Sequence, residues 1–235
     1  MQQAEPIKAV ALEPSAKAER TRAAILAAAE QQFARHGFVA TRLEDVAAAV
    51  DLKRAALFYH FRDKKSLYDA VVADAFGSLA ARLEEAFSAP VAIPVRIERA
   101  VEAWVDTVVA RPTLARLILR HAAEADEHAM QAMFPGVERL VSLAWSLFEQ
   151  GTKNGDLKPV HDDPFHAAST VIGATVFYVT ALGPLIPSAS FKPLAPEQTA
   201  AHKRNTLCTV RLLLGIAEPR PARKKAARRT KKKAR

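Results

Sequence analysis

Arg42, Lys53, Arg54, Tyr59, His60 and Lys64 fall within one short stretch, residues 41–65, TRLEDVAAAVDLKRAALFYHFRDKK. Their guanidinium, ammonium, phenol and imidazole groups are hydrogen-bond donors of the kind that meets phosphate oxygens and base edges. Arg54 can address guanine O6 and N7 with two parallel bonds. Ala55 and Ala56, interleaved with these groups, let a backbone approach base edges closely. Spacing and type therefore suit recognition of duplex DNA.

Two short helices must position these groups. Thr41 and Glu44 have the spacing of a capping box, which predicts a helix from residue 42. Leu43, Val46, Ala47 and Val50 form its apolar stripe. The pattern breaks at Asp51, Leu52 and Lys53, and a second helix is predicted over 54–60. Leu57 and Phe61 point it at the core, leaving Arg54, Ala55, Phe58 in part, Tyr59 and His60 on the opposite side. Asp51 stands where a tight turn favours glycine, and Asp tolerates left-handed backbone better than most residues. Lys53 precedes the second helix without a capping hydroxyl, which costs about 1 kcal/mol, but its ammonium can meet a phosphate instead.

Other reactive constellations are weaker. His121, Glu124 and His128 share one helical face, and His161, Asp162, Asp163 and His166 cluster near a loop. Neither has the spacing of an established zinc motif, so no metal and no cofactor are expected. The chain has no G-x-S-x-G, Walker or G-x-G-x-x-G sequence, and its single cysteine, Cys208, lies in an apolar stretch. Catalysis is not expected.

Composition sets the frame. The chain has 235 residues, half of them apolar, with almost no alternating apolar pattern. An all-α protein follows. A lone cysteine excludes an internal disulfide and fits a reducing cytoplasm. The first residues lack the apolar run of a signal peptide. The net charge of +9 is unevenly spread: residues 220–235 carry ten Lys or Arg and no acid, residues 15–65 are +4, and residues 66–219 are −4. Basic ends around an acidic middle place nucleic acid at the ends.

The motifs of residues 21–67 resemble the N-terminal domain of tetracycline-repressor (TetR-type) regulators. That family's F-x-x-x-G-F/Y is Phe33, Gly37 and Phe38 here. A threonine follows at Thr41, then Val46 and Ala47, the turn through Asp51, the aromatic run Phe58, Tyr59 and Phe61, and finally Lys64 and Leu67. Asp51 replaces the family's turn glycine and Lys53 its capping serine. Phe58 stands at the usual tyrosine and lacks its hydroxyl, a bond that Tyr59 can supply. The resemblance implies a three-helix helix-turn-helix domain with Thr41, Arg42, Lys53, Arg54, Ala56, Phe58, Tyr59, His60 and Lys64 at DNA. Lys64 matches the family lysine that contacts phosphate. The domains expected are a flexible arm over 1–14, the DNA-binding domain over 15–65, a ligand-binding and dimerisation domain over 66–218, and a disordered basic tail over 219–235.

The remaining chain reads as helices over about 15–36, stopped by Gly37, then 66–87, 95–110, 113–125, from Met133 or Pro135 to Gly151, 164–185 and 196–215, with residues 88–94 and 152–160 as loops. No Asp, Glu, Lys or Arg occurs from Pro164 to Phe191. Ser, Thr, Gly and Pro interrupt that stretch, so it is not read as a membrane span. An apolar helix of this kind is buried on every side, core on one face and a partner subunit on the other. The resemblance implies that the last two long helices pair two subunits, with Ala168, Gly173, Ala174 and Ala181 permitting close crossing. It also implies a pocket for a small apolar or amphiphilic effector. The lining candidates are Trp104, Phe134, Trp145, Phe148, Phe165, Phe177 and Tyr178, with Arg120 and His121 for a polar head group. The expected protein is a dimeric repressor released from a palindromic operator. The alternatives are a non-specific DNA binder driven by its tail and a metal-dependent helical enzyme.

Overall fold

The computed structural model describes residues 16–124, 137–186 and 191–217. Among them there are helices and no strand: α1 Ala16–Ala40, α2 Leu43–Ala48, α3 Arg54–His60, α4 Lys64–Ser88, α5 Ile93–Ala110, α6 Pro112–Glu124, α7 Val137–Asn154, α8 Phe165–Thr180, α9 Leu182–Leu185 and α10 Pro196–Leu214. The arm and the basic tail lie outside the described residues, as do Phe134 and His128.

Helix α1 buries Ile25, Leu26, Ala29 and Phe33. Gly37 breaks it with φ 77° and ψ 174°, backbone that only glycine adopts readily. The chain reverses there so that Phe38 can join Phe33 and Tyr68; the Phe33 and Tyr68 rings meet edge-on at 4.9 Å. This aromatic knot fastens α1 to α4. The turn between α2 and α3 passes through Asp51 with φ 54°, the left-handed conformation expected of it. Val46 and Ala47 of α2 and Leu57 of α3 are buried in the same core.

Helix α4 begins with Asp63, whose carboxylate accepts the Ser66 backbone N–H at 2.7 Å while the Ser66 hydroxyl accepts from Asp63 N. This capping box fixes the junction after α3. Leu67, Val71, Phe76 and Leu79 then bury along α4 toward the body. At about 1.5 Å per residue, the helix extends from the α3 junction deep into the following bundle.

Three boundaries differ from expectation. Pro94 is the second residue of α5, inside the helix instead of closing a loop, since its fixed φ suits a first-turn position with no N–H partner. Helix α7 passes through Gly151 and stops before Gly155, which has φ 78°; Gly151 is buried helix against Leu157. The uncharged stretch is two helices, α8 and α9, with a break at Ala181, and α8 begins at Phe165, one residue later than expected. Asp163 still serves it by accepting the Phe165 N–H at 2.8 Å.

Helix α10 ends as expected at Gly215 with φ 58°, where a β-carbon would lie 2.2 Å from the Lys158 carbonyl oxygen. That approach lets Lys158 N donate to Leu214 O at 2.9 Å, stapling the α7–α8 connection to the end of α10. Ion pairs Arg211–Glu98 at 2.7 Å and Lys203–Asp106 at 2.6 Å join α10 to α5. Helix α8 buries Ala167, Val171, Thr175 and Val176 on one face and exposes Phe165, Ile172 and Phe177 on the other.

Candidate nucleic-acid interface and apolar cavity

Helix α3 has no side-chain cap at Lys53. It is held by its inward residues: Leu57 and Phe61 are 2% and 7% exposed. Outward it carries Arg54, Ala55, Phe58 and Tyr59, with Tyr59 83% exposed. His60 is half-buried and meets the Tyr59 ring edge-on at 5.2 Å. Ala56 is half-buried as well. Arg42 and Lys53 are exposed to either side of the turn.

Arg54 is pre-aligned. Its guanidinium donates to Glu44 on α2 at 2.9 Å and lies 5.6 Å from the Phe58 ring. The Glu44 carboxyl is held below its ordinary range, first by its own backbone N–H and further by Arg54 and Arg42. Phe58 therefore acts as a shelf for a guanidinium, which no hydroxyl-bearing role predicts. Lys64, at the start of α4, donates to the Val39 carbonyl at 2.9 Å and rests 4.9 Å from the Phe38 ring. An ammonium has three donors, so a phosphate can still be met.

Thr41 does not take either expected role. It is buried, and its hydroxyl donates to the Gly37 carbonyl at 2.7 Å. The break at Gly37 leaves a buried carbonyl at the end of α1, and that carbonyl needs a donor. The N-cap of α2 is Arg42 with no side-chain bond, and Glu44 turns to Arg54 instead of reaching back.

The second feature is an apolar cavity of ≈ 180 Å³. Its walls include Leu83 and Phe87 of α4, Val101 and Trp104 of α5, Phe148 of α7 and Val171 of α8. Of the expected lining residues, Trp104 and Phe148 are there. Trp145 donates its indole N–H to Glu149 on its own helix at 2.7 Å and leans on Phe165 outside the cavity. Phe177 is on the exposed face of α8. Tyr178 donates to the Pro193 carbonyl at 2.7 Å and stacks on His202 at 4.0 Å. Arg120 is also elsewhere: it donates to the Ala34 and Arg35 carbonyls at 3.1 and 2.7 Å, closing the end of α1. The side chain of His121 and all of Phe134 are outside the described residues. Aromatic spacing identifies a buried stripe but not which neighbour that stripe faces, so these assignments needed the fold.

A link between the two features was not visible in the sequence. Glu30 of α1, 4% exposed, accepts from Arg111 at the α5–α6 junction at 2.8 Å and from the Thr113 hydroxyl. Arg111 also donates to Asp74 of α4 at 2.7 Å. These carboxylates hold the Arg111 guanidinium firmly protonated, the Glu30 hydrogen bond contributing most. Among the described residues, no group of three potential ligands could hold a metal, and no helix is long and apolar enough to cross a membrane.

The comparisons agree with this architecture. Residues 25–71 match the family described as "Bacterial regulatory proteins, tetR family". Over that segment the chain resembles TetR-type regulators, and its architecture, an N-terminal helix-turn-helix followed by a larger helical domain, is that of the similar solved structures. It is 27% identical over 182 residues to the HTH-type transcriptional regulator RutR of Escherichia coli K12, covering 77% of this chain and 80% of RutR. Over 47 residues it is 43% identical to the biofilm operon negative regulator IcaR of Staphylococcus aureus, covering 20% of this chain and 25% of IcaR. The fold is similar to FadR of Bacillus subtilis in complex with stearoyl-CoA, with TM-score 0.60 and 14% identity, covering 83% of this chain and 99% of FadR.

Proposed function

We propose that the protein is a homodimeric repressor that binds a near-palindromic operator and is released from it by a small apolar effector. The observation that carries this reading is the course of α4. Its first residue, Lys64, adjoins the recognition helix, and Leu83 and Phe87 near its other end line the cavity. One rigid element thus touches both the DNA-facing surface and the effector site.

Arg54, Phe58 and Tyr59 of α3 enter the major groove, while Arg42, Lys53 and Lys64 meet phosphates alongside. Thr41 supports the interface from beneath through its bond to Gly37. Dimer contact forms along the exposed faces of α8 and α10, where Phe165, Ile172, Phe177 and Leu212 are uncovered in the single subunit. Gly173 and Ala174, also exposed on α8, permit close approach. Two subunits related by a twofold axis then match two half-sites.

The effector acts by population shift: it binds better to the arrangement of heads that does not fit the operator. A hundredfold loss of operator affinity needs about 2.7 kcal/mol of coupling. The similar FadR structure holds stearoyl-CoA, which is consistent with an apolar occupant in a fold of this type. The test joins sedimentation with footprinting of the promoter beside the protein's own gene. A dimer protecting two half-sites is expected. A monomer, or equal affinity for native and scrambled fragments at physiological salt, overturns the proposal.

A further inference from the structure

We propose that the groove between α6 and the segment 191–195 is a second ligand site, taking a small organic carboxylate with an apolar body. The groove encloses ≈ 530 Å³ and shares no residue with the apolar cavity. Arg116 of α6 and Lys192 of the 191–195 segment are on its wall, together with Val179 at the end of α8, Phe191 and Leu194. Both cations are exposed, and neither forms an ion pair or hydrogen bond among the described residues. No acid occurs from Pro112 to Ala123 or from Pro164 to Pro196, the two stretches that form the groove. Glu30, which shares the adjoining hollow with Arg116, is engaged by Arg111 and Thr113 instead. Glu197, at the start of α10, makes no ion pair with Lys192. Two cations without a counter-charge thus line one groove of a body that is otherwise net negative.

The segment that carries Lys192 is fixed in place. Tyr178 donates its hydroxyl to the Pro193 carbonyl at 2.7 Å, and Ala195 N donates to Lys192 O at 2.9 Å. The Thr180 hydroxyl is spent on the Val176 carbonyl at 2.6 Å, so the side-chain donors left on the described wall are cationic. A carboxylate accepts from both, and a guanidinium meets it with two parallel bonds. An ammonium ligand would add a third positive charge, and a neutral one would leave both cations unmet. The apolar part of the wall selects against a bare inorganic anion, since it calls for a hydrocarbon or aromatic body. Thr113 and Arg120 of α6 hold α1, so the occupant rests against the helix that ties the head to the body.

The test titrates the full chain calorimetrically with three probes: 1-naphthoate, its neutral amide 1-naphthamide, and inorganic phosphate. At low salt the naphthoate is expected to bind roughly tenfold more tightly than the amide, the advantage of a charge-assisted hydrogen bond. The advantage should shrink as salt is raised, because the pair is exposed. Phosphate should bind more weakly than naphthoate. Arg116→Gln and Lys192→Gln should each lower naphthoate affinity several-fold and leave the amide unchanged; their side chains are outside the core, so both variants should melt as wild type does. In the unaltered chain, naphthoate should shift the methyl resonances of Val179 and Leu194 and not those of Val101 and Val171 on the cavity wall, a readout independent of any substitution. Equal affinity for naphthoate and amide, binding that survives the double variant, or phosphate binding as tight as naphthoate overturns the proposal. So does a shift confined to Val101 and Val171, which would put the probe in the cavity and leave the reading of that cavity standing.

Discussion

Arg111 grips Glu30 from 81 positions further along the chain, its Nε donating to the Glu30 carboxylate at 2.8 Å. One residue belongs to the first helix and the other to the corner between α5 and α6, so the pair binds the reading head to the body. Glu30 has only 6% of its side chain exposed and Arg111 29%. Removing one partner of a buried pair typically costs ~3 kcal/mol or more. Arg111→Ala should lower the melting temperature strongly, and Glu30→Gln, which keeps the Thr113 contact, should lower it less. A double-mutant cycle should return a coupling energy above 1 kcal/mol, as directly contacting charged groups do. Additive losses would show that the two residues act separately.

Tyr59 is almost fully exposed and Arg54 is held only by Glu44 and the Phe58 face. Neither contributes to the core, so Tyr59→Ala and Arg54→Ala should shift stability by no more than ~0.5 kcal/mol. Operator affinity should fall, for Arg54→Ala by ~1–3 kcal/mol if it reads a guanine. Calorimetric melting and a binding titration on the same preparations separate the two roles. A melting loss that matches the binding loss would make these side chains structural.

His202 stacks on Tyr178 at 4.0 Å with Nε2 3.3 Å from the Thr175 hydroxyl. Burial pushes its imidazole below the ordinary value of 6.5. In the window between the lowered folded value and 6.5, the unfolded chain holds more of this proton than the folded chain does. The contribution of His202 to stability is therefore complete above about pH 6.5 and is lost as the pH falls through that window. Denaturant titrations of wild type and His202→Gln should diverge less at acid pH than at neutral pH. Parallel curves would remove His202 from the acid dependence.

The ten basic residues of 220–235 are expected to offer the chain a second route to phosphate. Ending the chain after residue 219 should lower affinity at low salt and flatten the plot of log affinity against log salt, because fewer counterions are released. Preference for the operator over a scrambled duplex should stay, since the outward residues of α3 are unchanged. Equal slopes for the two forms would assign the tail no part in binding.

Local patterns carried the reading head well, because its helices are short and their stops are chemical. Asp51 marked a left-handed turn, Leu57 and Phe61 faced the core at helical spacing, and Gly37 and Gly215 ended helices through positive φ. Where two local rules competed, the long-range partner decided. Thr41 has capping chemistry, yet it satisfies the carbonyl left open at Gly37. Arg120 has the charge to greet a ligand, yet it closes the end of α1, 85 residues away at Arg35. Trp145 and Tyr178 share the helical spacing of Phe148 and Trp104, but their polar atoms find partners outside the cavity. Periodicity gives the face a residue takes on its own helix. Which helix meets that face is a property of the assembled chain.

Helix α3 has no side-chain cap of its own and is anchored by two inward side chains, Leu57 and Phe61. Its order is borrowed from its neighbours, while its outward positions carry almost none of the folding energy. Arg54, Ala55, Phe58 and Tyr59 can therefore be exchanged over generations with little penalty to folding. On the proposed reading of α3, a lineage carrying this scaffold can acquire new target sites by drift on one face of a seven-residue helix.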